Sequence, residues 1–188
     1  MTNGWESQST YSPGAHASAY EPYAADAMRY WVNDGEPPLV ERAAEVGLAD
    51  TGRGKALLAF DYDRDGDLDL FVARTADTPL LYRNDGGNRN PWLRILPVGD
   101  DGLPAVGARV AVRATSGSPP KIAEVRAGDT YQGSRSAWAH FGLGGHAGPV
   151  SEVTVTWPGG ATTVLHGIDS RREVVVGPGG VRDKAAPR

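Results

Sequence analysis

The sequence predicts a mostly β protein: a strand–loop–strand unit followed by a small antiparallel β-sandwich or barrel. Three observations predict it. The 188 residues include 25 glycines and 14 prolines, which suits many short strands joined by tight turns. Seven short apolar-alternating runs, with turn signals between them, lie between Trp92 and Val176, the spacing of an antiparallel sandwich. Between Ala59 and Ala73 five aspartates alternate with other residues around Gly66, and apolar runs flank them on both sides.

Four regions follow in order. Residues 1–36 form an aromatic-rich segment with Trp5, Tyr11, Tyr20, Tyr23, Tyr30 and Trp31. Disordered tails are poor in aromatics, so this segment is expected to pack on something. Within it, Met28 to Val32 reads as a short strand and Asn33-Asp34-Gly35 as a turn. Residues 37–88 hold the acidic loop. Pro37 to Val46 is expected to be a short helix: the prolines suit its first turn, Leu39, Val40, Ala43 and Ala44 give an apolar face, and Gly47 closes it. Lys55–Phe60 and Leu68–Ala73 are the strands around the loop. Leu80–Arg83 is a third strand, ended by Asn84-Asp85-Gly86-Gly87. Residues 89–177 hold the seven alternating runs, punctuated at Gly99–Gly102, Ser116–Pro120, Gly144–Pro149 and Pro158–Gly160. Residues 178–188 read as a disordered tail.

The acidic loop is the strongest chemical signal. Like charges at about 4 Å and an effective dielectric of about 20 repel by roughly 4 kcal/mol per pair. Arg64 is the only cation inside the cluster and cannot neutralise five acids. The aspartates must therefore be protonated, splay into water or hold a cation. An all-oxygen set suits calcium, which takes about 6–8 oxygen ligands. Asp61, Asp63, Asp65 and Asp69 would offer side chains and Asp67 its backbone carbonyl, with Gly66 providing the sharp turn. An EF-hand is rejected, because it needs a Glu at the twelfth loop position and a flanking helix on each side. That position is Val72, and both flanks are β-rich. Magnesium and manganese suit the crowded carboxylates less well than the larger, more tolerant calcium ion.

Composition narrows the function. The net charge is −4 and no basic patch carries interleaved aromatics, so nucleic acid is not an expected partner. No apolar run is long enough to span a membrane. The N-terminus does not read as a signal peptide. The absence of cysteine excludes disulfides, thiolate metal sites and cysteine nucleophiles. The histidines His16, His140, His146 and His166 are scattered, without metal-binding spacing. His140 is expected to pack or hydrogen-bond in its strand, and His146 to lie in a plain glycine-rich loop. Ser134, Ser136, Asp129 and His140 are near in sequence but lack a nucleophile-elbow motif, so no hydrolase triad is expected. Trp157 is expected in the core; exposed, it would instead suggest carbohydrate stacking. Asp100-Asp101 reads as a solvated turn.

The stretch from Asp61 to Val72 resembles the calcium loop of FG-GAP (VCBS-type) repeats, the blades of integrin-like β-propellers. Pro79 to Gly86 is similar to the strand and turn that follow it. The C-terminal part resembles the ASPIC/UnbV domain at Asn90-Pro-Trp-Leu, Val106-Gly-Ala-Arg-Val, His140-Phe-Gly-Leu-Gly and Val155-Thr-Trp-Pro-Gly-Gly. In that family, which includes cartilage acidic proteins and UnbV proteins of enediyne gene clusters, the domain follows a propeller. The resemblance implies a partial β-propeller-type blade with calcium on Asp61, Asp63, Asp65, Asp67 and Asp69, and then the β domain. It carries over no catalytic residue. The implied function is a calcium-stabilised, non-catalytic binding or adhesion module with a protein or carbohydrate partner. The alternative is an accessory protein or enzyme in enediyne-type natural-product biosynthesis. The resemblance implies a secreted or cell-surface setting, and the lack of a signal-peptide pattern leaves the cytoplasm open. Only one complete blade is present, whereas a propeller closes with about 4–8. The chain is expected to be a C-terminal piece or a divergent short form, packing against further blades or covering its open side with its aromatic N-terminal segment.

Overall fold

The computed structural model describes residues 26–75, 77–128 and 130–182. The chain divides into two units that interleave along the sequence. The first holds the described residues up to Ala59, those of 69–83 and Thr130–Gly133. The second holds Phe60–Leu68 and the described residues of 84–129 and 134–188. A single cut after residue 88 does not separate them.

In the first unit β1 (Trp31–Val32) pairs antiparallel with β2 (Val40–Glu41). The Glu41 carboxylate accepts the amides of Ala43 at 2.8 Å and Tyr30 at 3.2 Å, and these bonds lower its pKa. The helix expected over Pro37–Val46 does not form. β2 occupies its middle, and its end is a turn in which the Leu48 amide reaches the Ala43 carbonyl at 2.7 Å. Of the expected apolar face only Ala43 is buried, while Leu39, Val40 and Ala44 stay exposed, too little packing to repay the ordering of so short a helix. Of the aromatic segment, residues 1–25 lie outside the described residues, and Tyr30 and Trp31 are exposed.

A three-stranded sheet follows in the order β3 (Gly54–Phe60), β4 (Asp69–Arg74), β5 (Leu80–Tyr82). β4 and β5 are antiparallel, with Val72 opposite Leu80. Ala56 and Val72 are its buried apolar centre. A propeller blade has four strands; this sheet has three. Arg74 braces the unit by holding Asp50 at 3.1 Å, Asp77 at 3.2 Å and the Thr78 carbonyl at 2.7 Å. Gly133 packs against the side chains of Leu58 and Ala56, with no room for a Cβ.

The second unit contains two four-stranded sheets. One has the order β11 (Thr162–Leu165), β10 (Glu152–Thr156), β7 (Arg109–Arg113), β8 (Lys121–Glu124). The other has the order β13 (Gly180–Arg182), β12 (Arg172–Gly177), β6 (Trp92–Pro97), β9 (Ala139–Gly142). Neither sheet closes on itself, which decides for sandwich over barrel. All seven alternating runs become strands. One pairing departs from the expected antiparallel pattern: β12 lies parallel to β6, with Glu173 opposite Arg94. Leaving the β10–β11 hairpin, the chain moves from one sheet to the other and enters beside β6 in the same direction.

Alternation places Leu93, Ile95, Phe141, Val174 and Val176 of one sheet in a single core with Val110, Val112, Val153 and Val155 of the other. Trp157 is buried with them. Its indole N–H donates to the Thr163 hydroxyl at 2.8 Å, which donates to the Pro178 carbonyl at 2.8 Å. This excludes Trp157 as an exposed stacking platform. The expected disordered tail is also corrected in part, because residues 180–182 form β13. A turn at Gly180 (φ +121°) folds the chain back so that Val181 pairs with Val176. Residues 183–188 lie outside the described residues.

Ile95 has no exposed surface. Ile95→Ala is expected to cost about 2–5 kcal/mol through lost apolar transfer and the cavity left behind. Val164→Ala, on an exposed position of β11, should change stability by about 0.5 kcal/mol or less. Urea unfolding of both variants checks the contrast.

Candidate metal centre

The acidic loop runs from Phe60 to Leu68 and belongs to the second unit. Its curl follows from its own residues. Arg64 (φ +64°) and Gly66 (φ +102°) both adopt the left-handed region. The aspartates fold onto the loop's own amides. Asp63 accepts from the Asp65 amide at 3.3 Å, Asp65 from the Asp67 amide at 3.1 Å, and Asp61 Oδ2 from the Gly66 amide at 3.1 Å. Carboxylate oxygens of Asp61, Asp63 and Asp65 consequently lie within 4.8 Å of one another, Asp61 buried and the other two exposed.

Two of the five aspartates are not in that group. Asp67 Oδ2 accepts the Asn88 amide at 3.2 Å, and Asp69 is fully buried at the start of β4. The loop is also held from outside. The Asn88 side chain donates to the Asp65 carbonyl at 3.3 Å, and Arg171 donates to the carbonyls of Asn88 and Arg89 at 2.8 Å each. Gly66 lies flat against the Trp92 indole, where any Cβ would collide with the ring.

Beneath the loop is Arg94, nearly buried on the face of β6 opposite the core. Its Nη1 holds Asp61 Oδ2 at 2.9 Å and Glu173 Oε1 at 2.7 Å, and the guanidinium lies 5.2 Å from the centre of the Trp138 ring. Asp61 Oδ1 is buried and has no hydrogen-bond partner. Such an atom incurs a desolvation cost unless something satisfies it. A divalent cation fits this donor set, since the orphaned oxygen belongs to one of the three converging carboxylates. Arg94 also adjoins His140 across the β6–β9 pair. The His140 ring stacks beside Trp92 at 6.4 Å, and its Nδ1 is buried without a partner. Burial lowers the His140 pKa, and the Arg94 charge lowers it further against the opposing pull of Asp61. A cleft of about 310 Å³ lies alongside, lined by Asp67, Asn84, Trp92, Lys121 and His140 among others.

The remaining sequence candidates resolve as follows. The Ser134 hydroxyl donates to the Ala127 carbonyl at 2.8 Å, and Ser136 Oγ accepts the Trp138 amide at 3.3 Å. Neither bond reaches His140, and Asp129 lies outside the described residues, as does His16. The His146 ring bonds the Pro149 carbonyl at 3.0 Å, inside its own loop. Asp101 accepts the Leu103 amide at 3.0 Å, and exposed Asp100 meets Arg182 at 3.3 Å. Sequence reasoning missed Arg94 and Glu173. Alternation places both on the non-core face of their strands, which normally means solvent. Only the long-range parallel pairing of β12 with β6 brings them together.

Fold and site together define a class: a β-sandwich with an acidic loop seated in the same unit. Residues 100–183, within the sandwich, match the family described as ASPIC and UnbV, so the chain carries an ASPIC/UnbV domain. The chain is similar to human cartilage acidic protein 1, 36% identical over 129 residues, covering 67% of this chain and 19% of that protein. The mouse protein of the same name matches at 36% over 129 residues, and the Xenopus tropicalis one at 36% over 112. The chain spans about a fifth of the length of these relatives. Among the described residues, no helix is long and apolar enough to cross a membrane.

Arg94→Met strands two carboxylates in a mostly buried site and is expected to destabilise by about 3–5 kcal/mol in urea unfolding with EGTA present. A second expectation concerns pH. Because the His140 pKa is lower folded than unfolded, the unfolded chain binds more protons. The stability tied to neutral His140 is therefore complete above the unfolded value of about 6.5 and is lost as pH falls through the folded value. Between about pH 7.5 and 5.5, wild type should lose stability more steeply than His140→Phe. Parallel slopes in melting experiments would refute this.

Proposed function

We propose that this chain is a calcium-stapled, non-catalytic binding module. The ion is held through Asp61, Asp63 and Asp65, and the ASPIC/UnbV domain presents its loops to a protein or carbohydrate partner. The observation that carries the reading is that carboxylate oxygens of Asp61, Asp63 and Asp65 lie within 4.8 Å of one another in a loop where Asp61 also keeps a buried oxygen without a hydrogen-bond partner. Oxygen donors of this hardness select calcium or magnesium over softer metals, and the flexible acidic loop suits the larger ion. In this reading the β3–β4–β5 sheet belongs to an FG-GAP-type repeat and packs against further blades. Asp67 and Asp69 hold the loop and strand in shape instead of ligating through their side chains. A calcium-rich, extracellular setting follows from the same reading, because modules there bind the ion at about 10⁻⁴–10⁻³ M.

The natural-product reading has less support. The Ser134 hydroxyl donates to the Ala127 carbonyl and Ser136 Oγ accepts the Trp138 amide, so neither of these bonds couples the serines to His140.

Calcium at about a hundred times its Kd should stabilise the fold by about 2.7 kcal/mol. For a chain of this size that is a melting-temperature rise of about 5–10 °C. Scanning calorimetry with calcium, magnesium or EGTA measures it. Asp63→Asn and Asp65→Asn, both at exposed positions, should abolish the rise while leaving the EGTA melting curve nearly unchanged. A wild-type curve indifferent to calcium would sink the proposal.

A further inference from the structure

We propose that Arg94 is the positioning residue of the cation site: it aims Asp61 at the ion by anchoring that carboxylate to the sandwich. The inference rests on the calcium reading and adds a residue outside the acidic loop.

Three observations carry it. The Asp61 carboxylate is divided between two tasks. Oδ2 accepts the Gly66 amide at 3.1 Å and Arg94 Nη1 at 2.9 Å, while Oδ1 is buried and unpartnered. Fixing one oxygen of a planar carboxylate by two donors sets the direction of the other. Arg94 is itself immobilised. It projects from β6, bonds Glu173 on β12 at 2.7 Å and lies over the Trp138 ring just before β9. One guanidinium thereby ties the loop to three segments of a sheet whose other face is the apolar core. Finally, the charges leave room for a cation. Asp61 and Glu173 carry two negative charges and Arg94 one positive, so the trio retains one negative charge before Asp63 and Asp65 are added.

A guanidinium placed this close to a cation site would repel the ion if it acted only through charge. Its contribution here is geometric. A pre-aimed ligand loses less freedom when the ion binds, and the planar fork of arginine can hold two carboxylates in fixed directions where an ammonium cannot.

The two roles predict opposite signs, and calcium titration calorimetry on the full chain separates them. Removing a positive charge alone would tighten calcium binding. Loss of positioning weakens it, by about tenfold for Arg94→Gln, within the usual range of coupling between sites. Arg94→Lys keeps the charge and is expected to bind calcium more weakly than wild type, between the other two proteins. Near-UV circular dichroism establishes that each protein is folded at the titration temperature. Binding that is unchanged or tighter in Arg94→Gln overturns the inference. If that variant does not fold, unchanged binding in Arg94→Lys overturns it. A wild type that binds no calcium overturns the calcium reading itself and this inference with it, whereas wild-type binding with unaltered variants overturns only the role of Arg94.

Discussion

The guanidinium of Arg94, shared between Asp61 and Glu173, is the interaction on which the second unit's polar architecture depends. Charges this far from water are tolerated only when they are paired and hydrogen-bonded, because each ion loses several kcal/mol of solvation on burial. Here one cation serves two carboxylates that come from a loop and a strand more than a hundred residues apart. Replacing a buried ion pair with apolar side chains is often neutral or even stabilising. The trio is therefore poorly explained as a source of stability. Its geometry instead determines where the acidic loop sits and which way Asp61 faces.

The same constraint shapes the sheet that carries it. Strand β6 buries Leu93 and Ile95 in the sandwich core and Arg94 on the opposite face, so its three central residues are all buried. A sheet covered on both sides usually reads as a continuous apolar run. This one mixes an apolar face with a polar one, and the polar face is satisfied by a loop. Gly66 against Trp92 makes the contact close, and the Asn88 and Arg171 bonds brace it from the side. Each of these contacts lies within the second unit. The acidic loop is thus structurally part of the sandwich, although in sequence it connects two strands of the other sheet.

This placement bears on what a cation does for the protein. In the proposed function the ion is structural, and its effect is felt first in the unit that carries the ASPIC/UnbV domain. The nearby cleft, with Lys121, Asn84 and the neutral, half-buried His140, adds donors and acceptors of both kinds beside the loop. The similarity to cartilage acidic protein 1 spans about a fifth of that protein, so the match concerns a portion of it.

Much of the fold was legible in residue order. Period-two alternation from Trp92 to Val176 marked all seven sandwich runs because inward and outward positions differ in chemistry. The acidic loop was legible because five aspartates in nine positions have few physical solutions. The helix over Pro37–Val46 was misread because local propensity cannot tell whether an apolar face will find a partner, and Leu39 and Val40 did not. β13 was missed because a three-residue strand that begins at the second glycine of Gly179-Gly180 carries too little pattern. What only the tertiary structure decided was the company the aspartates keep. Sequence spacing offered all five as ligands; folding brings carboxylate oxygens of Asp61, Asp63 and Asp65 within 4.8 Å of one another, while Asp67 Oδ2 accepts the Asn88 amide and Asp69 is buried at the start of β4. Arg94 and Glu173 looked like solvent-facing residues of ordinary strands. Their meeting required two strands distant in sequence to pair in parallel with a loop above them, and alternation along one strand carries no record of what covers its outer face.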